Sequence, residues 1–190
     1  MDDRIDIALR EWAVAVDALA SGRQVIVLRK GGIAEETKEF RLESPRFYLF
    51  PSYEHQKPHL MKEEARAAVL RTQAEAAESP DSVRIAYYAE AAYDLEVTDE
   101  ETLKRLDDLH VWTHEYAAER LKWKKTKPLH VLVLRVFELE RPTALPVDEA
   151  FGGCKSWLRI PSIEAGPMRP VLSDERFQAQ AEAVLRIVNG

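Results

Sequence analysis

Gly152-Gly153-Cys154-Lys155-Ser156-Trp157 contains the chain's one thiol, set beside a cation and preceded by two glycines that can expose backbone N–H groups. A thiol in this setting can act as a nucleophile over an oxyanion site, with His55 or His110 as its base. If the protein is an enzyme, Cys154, His55 and Lys155 are its catalytic residues, and the competing reading is a structural cysteine. Tyr53-Glu54-His55-Gln56 supplies an aromatic face, a carboxylate, an imidazole and an amide in consecutive residues. Such a set can stack a base and bond its edge, or it can be an ordinary polar loop. Arg29-Lys30-Gly31-Gly32 joins a planar donor fork and a point charge to glycines that let a phosphate approach the backbone. The plainer reading is a strand end followed by a turn.

Three further groups carry weaker signals. Arg120, Lys122, Lys124, Lys125 and Lys127 crowd into eight residues around Trp123, so Lys122, Trp123 and Lys124 can hold a nucleic-acid backbone beside a stacking ring. Lysines shielding an apolar rim would look the same. His110 and His114 have the spacing of paired zinc ligands, but Val111 stands where a metalloprotease motif has glutamate, and Thr113 reads as a helix cap. No metal or other cofactor is expected. Arg135 interrupts an apolar strand and needs solvent, a ligand or an acid such as Glu90 or Glu138. Glu36-Thr37-Lys38 with Asp17 upstream is a fragment of a nuclease pattern, too short to carry one.

These groups must be held by a fold that the spacing of apolar residues outlines. Ile5, Leu9, Trp12, Val16 and Leu19 share one face of a helix, with Asp3 complementing its dipole and Gly22 as a left-handed cap. Gln24 to Leu28 reads as a strand buried on both faces, and Arg46 to Phe50 as another, stopped by Pro51. Leu60 to Ala77 has the composition of a peripheral helix. Val83 to Val97 reads as a long bent strand with a bulge near Glu90, followed by a short helix capped by Thr98. Thr113 to Leu121 is helical, His130 to Glu140 is a strand stopped by Arg141-Pro142, and a last helix runs from about Ser173. The pattern is one α+β domain over 1–190, most simply a small mixed barrel dressed with helices.

Composition narrows the classes. A net charge of −6 argues against a protein coated in positive charge, and a single cysteine excludes an internal disulfide or a multi-cysteine zinc site. No apolar run approaches the ~20 residues that span a bilayer, and the acidic start is unlike a secretory signal, so a cytoplasmic protein without membrane contact is expected.

Trp12-Ala13, Ser21-Gly22 and Arg29 resemble the start of ASCH domains, PUA-like β-barrels in which a helix leads into a strand bearing G-x-K-x-x-E-x-R. Gly22 and Arg29 fall on the motif's glycine and arginine, whereas Gln24 and Val27 stand at its lysine and glutamate. LRKGG, FYLFPSYEHQ, HVWTHEY, LRVFELERP and GGCKSW more closely resemble a bacterial family of uncharacterised proteins, the domain of unknown function 1802 family, over residues from about 8 to 160. The likeness implies a PUA-like core over about 8–160 and a C-terminal helix over about 173–188. In ASCH-like amidohydrolases acting on acetylated cytidine the lysine is catalytic, and glutamine cannot move a proton near neutral pH. The likeness also implies nucleic acid as partner, a restriction endonuclease as neighbour and a modified base as ligand.

The expectation is a non-catalytic nucleic-acid-binding module. Arg29, Lys30 and Gly31 would meet phosphate or base edge, with Arg135 a further candidate, while Tyr53, His55 and Gln56 recognise the base and Lys122, Trp123 and Lys124 hold the backbone. The alternatives are a small hydrolase using Cys154 or an ASCH-like pocket, and a protein-interaction module using the helix over 60–77.

Overall fold

The computed structural model describes residues 4–31 and 39–190. Asp3, Gly32 and Glu36-Thr37-Lys38 lie outside the described residues. Among the described residues seven strands and five α-helices form a mixed α+β domain around one sheet. The strands are β1 (Arg4–Trp12), β2 (Ile26–Arg29), β3 (Arg46–Ser52), β4 (Ser82–Val97), β5 (Leu129–Pro146), β6 (Trp157–Glu164) and β7 (Met168–Pro170). Their order is β2-β5-β4-β3-β1-β6, with β7 pairing β5. The helices are α1 (Ala13–Ala20), α2 (Glu63–Glu78), α3 (Glu100–Arg105), α4 (His114–Lys122) and α5 (Asp174–Asn189).

The first expected helix is half strand. Ile5, Leu9 and Trp12 fit a helical face, but Ile5-Asp6-Ile7-Ala8-Leu9-Arg10 also alternates with period two, and that pattern wins. β1 lies between β3, to which it is parallel, and β6, to which it is antiparallel, so its backbone groups are met on both sides. The chain turns into α1 only at Ala13. α1 then ends as expected on Gly22 at φ +70°, whose N–H donates to the Leu19 carbonyl while that of Arg23 donates to Ala18.

Two prolines fail to stop their strands. β3 runs through Pro51 because its pairing with β4 is confined to Arg46–Tyr48, leaving no ladder bond there for Pro51 to break. β5 runs through Pro142 because the register jumps from Tyr87↔Glu138 to Ile85↔Thr143, placing the proline in the looped-out stretch. The bend of β4 is a bulge between Ala91 and Tyr93, close to the expected place. Asp99, not Thr98, caps α3 by accepting the Thr102 N–H at 2.7 Å. Thr113 caps α4 and Ser173 caps α5.

Alternation along the strands feeds two cores. Leu9, Phe47, Leu49 and Ala89 point to the helix-covered face, where α1, α2, α4 and α5 pack. Ala8, Tyr48, Phe50 and Tyr88 point to the other, filled by β4, β5 and β6 with no α-helix among the described residues. A sheet can bury that second face only by curling on itself. β2 and β1 are four strands apart, roughly 19 Å in a flat sheet. Yet Arg29 at the end of β2 reaches Glu11 of β1 at 3.2 Å and the Ser156 hydroxyl, just before β6, at 2.6 Å. The ladder stays open between β2 and β6 while this side chain ties its two ends.

Arg29 and Glu11 are 14% and 4% exposed. Removing one member of a buried pair strands the other's charge, so Glu11→Leu should lower unfolding free energy by ~3–5 kcal/mol in a urea titration. The double variant Glu11→Leu/Arg29→Leu should recover most of it; independent, additive losses would contradict the clamp.

His110 is 4% exposed, and neither ring nitrogen has a hydrogen-bond partner among the described residues. Burial, and then the nearby Lys62 ammonium, push its pKa down to about 3. Below about pH 6.5 the unfolded chain takes up a proton that the native ring refuses, so this group's contribution is full above that pH and is lost as pH falls toward 3. His110→Leu should therefore lose ~2–3 kcal/mol less stability than the parent between pH 7 and 4.5. Parallel pH profiles would contradict a neutral buried ring.

Candidate functional site

Arg29, Lys30, His55, Cys154 and Lys155, far apart in sequence, line one cavity of about 240 Å³. β1 brings Arg10, Glu11 and Trp12 to it, β2 brings Leu28 and Arg29, the end of β3 brings Ser52, and α4 brings Tyr116 and Arg120 from successive turns of one face. Residues 153–156, just before β6, close it. The Trp112 wall is held by its bridge to Met61, flanked by hydrogen bonds from Lys62 N–H to Val111 and from Thr113 N–H to Leu60.

The lining includes five cations, Arg10, Arg29, Lys30, Arg120 and Lys155, and two carboxylates, Glu11 and Glu54. On a chain of net charge −6 this excess concentrates a positive potential where anions can collect. The cations differ in task. Arg29 is spent on Glu11 and Ser156, and the other Glu11 oxygen accepts the Trp12 N–H at 2.8 Å. The Lys30 ammonium donates to the Leu121 carbonyl at the negative end of α4. Burial, and then the Arg120 charge, lower the Lys30 pKa. Arg10 donates to the Gly153 carbonyl and lies 5.8 Å over Phe50, at the cavity's edge. Arg120 donates to the Lys30 carbonyl at 3.4 Å, and Lys155 is exposed at the rim.

The aromatic wall is Trp12 against Tyr116, with ring centroids 5.0 Å apart. Burial raises the Tyr116 pKa, so its hydroxyl keeps its proton and can donate. Cys154 is exposed in the glycine-rich loop opposite, where Gly153 takes φ +83°. His55 is exposed, on the loop after β3.

Several expected residues have other tasks. Gln56 is buried: its oxygen accepts the Val14 N–H at the start of α1, and its nitrogen donates to Thr72 of α2. Gly31 is required by the Glu39 backbone, since an added Cβ would lie 2.5 Å from it, so that space is not open to phosphate. Arg135 has Glu90 as its cross-strand neighbour, but its ion pair is with Asp174, and it lies over Phe137 and Phe177. Glu138 pairs instead with Arg169. Lys122 pairs with Glu100, and Lys124 lies 4.3 Å from the Trp123 ring centre, so the basic run reaches the cavity through Arg120. Tyr53 faces neighbouring cavities.

His110 precedes the Thr113 cap in extended backbone, so it does not share a helical turn with His114, and it is buried outside the cavity, where it cannot serve Cys154 as a base. Among the described residues no group of three or more His, Cys, Asp or Glu is placed to hold a metal ion. Gln24 is 2% exposed, donating to the Ile26 carbonyl and accepting the Val111 N–H. The amide at the ASCH lysine position thus ties the core together. Val27, at the glutamate position, is fully buried.

Sequence reasoning missed Arg10, Glu11, Trp12, Ser52, Trp112 and Tyr116 as cavity residues, and named Arg120 only as part of the basic run. The signal for the first three was the period-two alternation of residues 4–10, which turns a helix face into a strand end. No helix among the described residues is long and apolar enough to cross a membrane.

Three solved structures of an ASCH protein from Zymomonas mobilis are similar to this chain. One single-substitution variant has 12% identity and a TM-score of 0.45, covering 96% of this chain and 98% of that one. A second has 13% identity and a TM-score of 0.45, with coverages of 93% and 96%. The ASCH protein itself has 11% identity and a TM-score of 0.43, with 93% of each chain covered. No curated protein gives a significant match. The family model of the domain of unknown function 1802 matches residues 8–183, which take in every wall of the cavity, and the chain belongs to that family.

Proposed function

We propose that the protein is a nucleic-acid-binding module that takes one unstacked nucleotide into the cavity between the Trp12–Tyr116 wall and the loop of residues 153–156. The supporting observation is that cations, an aromatic wall and hydrogen-bonding side chains from β1, β2, β3, α4 and the 153–156 loop meet around one cavity. Its 240 Å³ lies just below the ~300–1,000 Å³ usual for small-molecule sites, a size suited to a base and part of its sugar. The base would lie against the aromatic wall, with Ser52 and His55 at its edge, where a modification would be read. Arg10, Arg120 and Lys155 would meet phosphate. Arg29 and Lys30 shape the site from below, since Arg29 bonds Glu11 and Ser156 and Lys30 bonds the Leu121 carbonyl within the fold. The comparisons offer no support for a restriction-endonuclease partner.

Fluorescence anisotropy with single-stranded oligonucleotides should give an affinity that falls steeply with salt. Arg120→Ala and Lys155→Ala should each reduce the log–log salt slope by about 1. Tyr116→Ala should cost ~1–3 kcal/mol of binding through lost stacking. Absence of binding at low salt, or indifference to all three substitutions, would overturn the reading.

Cys154 and His55 line the same cavity, which favours a hydrolase as the second reading. In that case Cys154→Ala abolishes turnover of an ester or amide while leaving Tm unchanged, because the thiol is exposed. In the binding module the same variant leaves affinity for the oligonucleotide intact.

A further inference from the structure

Two more cavities continue from the first. One of about 300 Å³ is bounded by Phe50, Tyr53, Val83, Val147 and Phe151, and shares Arg10, Ser52 and Glu54 with the nucleotide cavity. A third, of about 400 Å³, lies between α1, α2 and the sheet, with Leu49, Arg84 and Tyr87 in its walls. It shares Pro51, Tyr53, Ala76, Ser79 and Ser82 with the second. Common walls in this order make one cleft that runs from α4 past the end of β3 to α2.

Charge is distributed unevenly along it. The cation excess belongs to the first cavity. In the third, Arg71 pairs with both Asp17 and Glu75, Arg84 balances the remaining charge, and aromatic and aliphatic side chains dominate the rest. In the second, Glu54 and Asp148 disfavour an anion, leaving Arg10 at the junction as its cation. A cation at the junction followed by the Tyr53 ring between the outer cavities matches the alternation of phosphate and base along a single strand.

We propose that this cleft binds a second, adjacent nucleotide of the same single strand, with its base against Tyr53 and the linking phosphate at Arg10. The inference rests on the nucleic-acid reading of the first cavity and extends it from one nucleotide to two. Tyr53 fits the task by position: half-buried directly after β3, it borders both outer cavities. Burial, and then Glu75, raise the pKa of its hydroxyl, so the ring stays neutral beside the phosphate.

The test is calorimetric titration with a mononucleotide, a dinucleotide and a tetranucleotide, each as ribose and as deoxyribose. Going from one nucleotide to two should tighten binding about 5- to 150-fold, the value of one stacked base. Tyr53→Ala should remove that gain while leaving mononucleotide affinity within about 2-fold, because the first cavity is untouched. Ala76→Trp, which fills the cleft from the surface of α2, should do the same, and Tyr53→Phe should keep the gain. A gain that survives both Tyr53→Ala and Ala76→Trp overturns the second site. So does a mononucleotide that binds without any benefit from length, and in that case the single-nucleotide reading stands. If no species of any length binds, the nucleic-acid reading fails and this inference falls with it.

Discussion

The Arg29 side chain is the constraint on which the rest depends. A curled sheet with an open ladder has two edges that must be kept in place, and here a guanidinium bonded to Glu11 and Ser156 spans the gap. Breaking that link would strand a carboxylate that is 4% exposed and release the segment that leads into β6. The same bonds orient the cavity. Glu11 holds the Trp12 backbone with its other oxygen, and Ser156 fixes the loop carrying Cys154 and Lys155, so the clamp that closes the fold also sets the distance between the walls of the site.

This arrangement separates structural from available polarity. Gln24, Gln56, Arg29 and Lys30 have the chemistry of ligand-binding residues, yet each makes its hydrogen bonds inside the fold, where stranding the partner group would cost ~1–3 kcal/mol. The groups left at the cavity mouth are more exposed: His55, Glu54, Cys154 and Lys155. Such a site suits holding a ligand on a rigid floor while the rim reads it.

Much of the fold was legible because its signals are local. Gly22 marks the end of α1 since only a left-handed residue closes that turn, and the apolar runs of β2 and β5 and the amphipathic face of α5 carry their own period. β1 was misread because residues 4–12 satisfy two periods at once, and only pairing with β3 and β6, about 40 and 150 residues away, decides between them. The prolines misled for a related reason. Whether Pro51 or Pro142 breaks a strand depends on where a neighbouring strand has already left the ladder. At the site, the sequence pointed to Arg29, Lys30, His55, Cys154 and Lys155, whose types are conspicuous. It could not show that Gln56 caps α1 or that Gln24 reaches Val111, because those bonds span 42 and 87 residues.

The chain's four tryptophans divide by place: Trp12 and Trp112 line the cavity, Trp157 is buried in the core, and Trp123 stands 36% exposed among the lysines after α4. Indole N–H resonances followed while a single-stranded oligonucleotide is added at low salt therefore report where the ligand sits. Binding in the cavity requires the Trp12 and Trp112 signals to shift together in a saturable way while those of Trp123 and Trp157 stay in place. Shifts confined to Trp123 would put the nucleic acid on the basic end of α4 and contradict the cavity as the site.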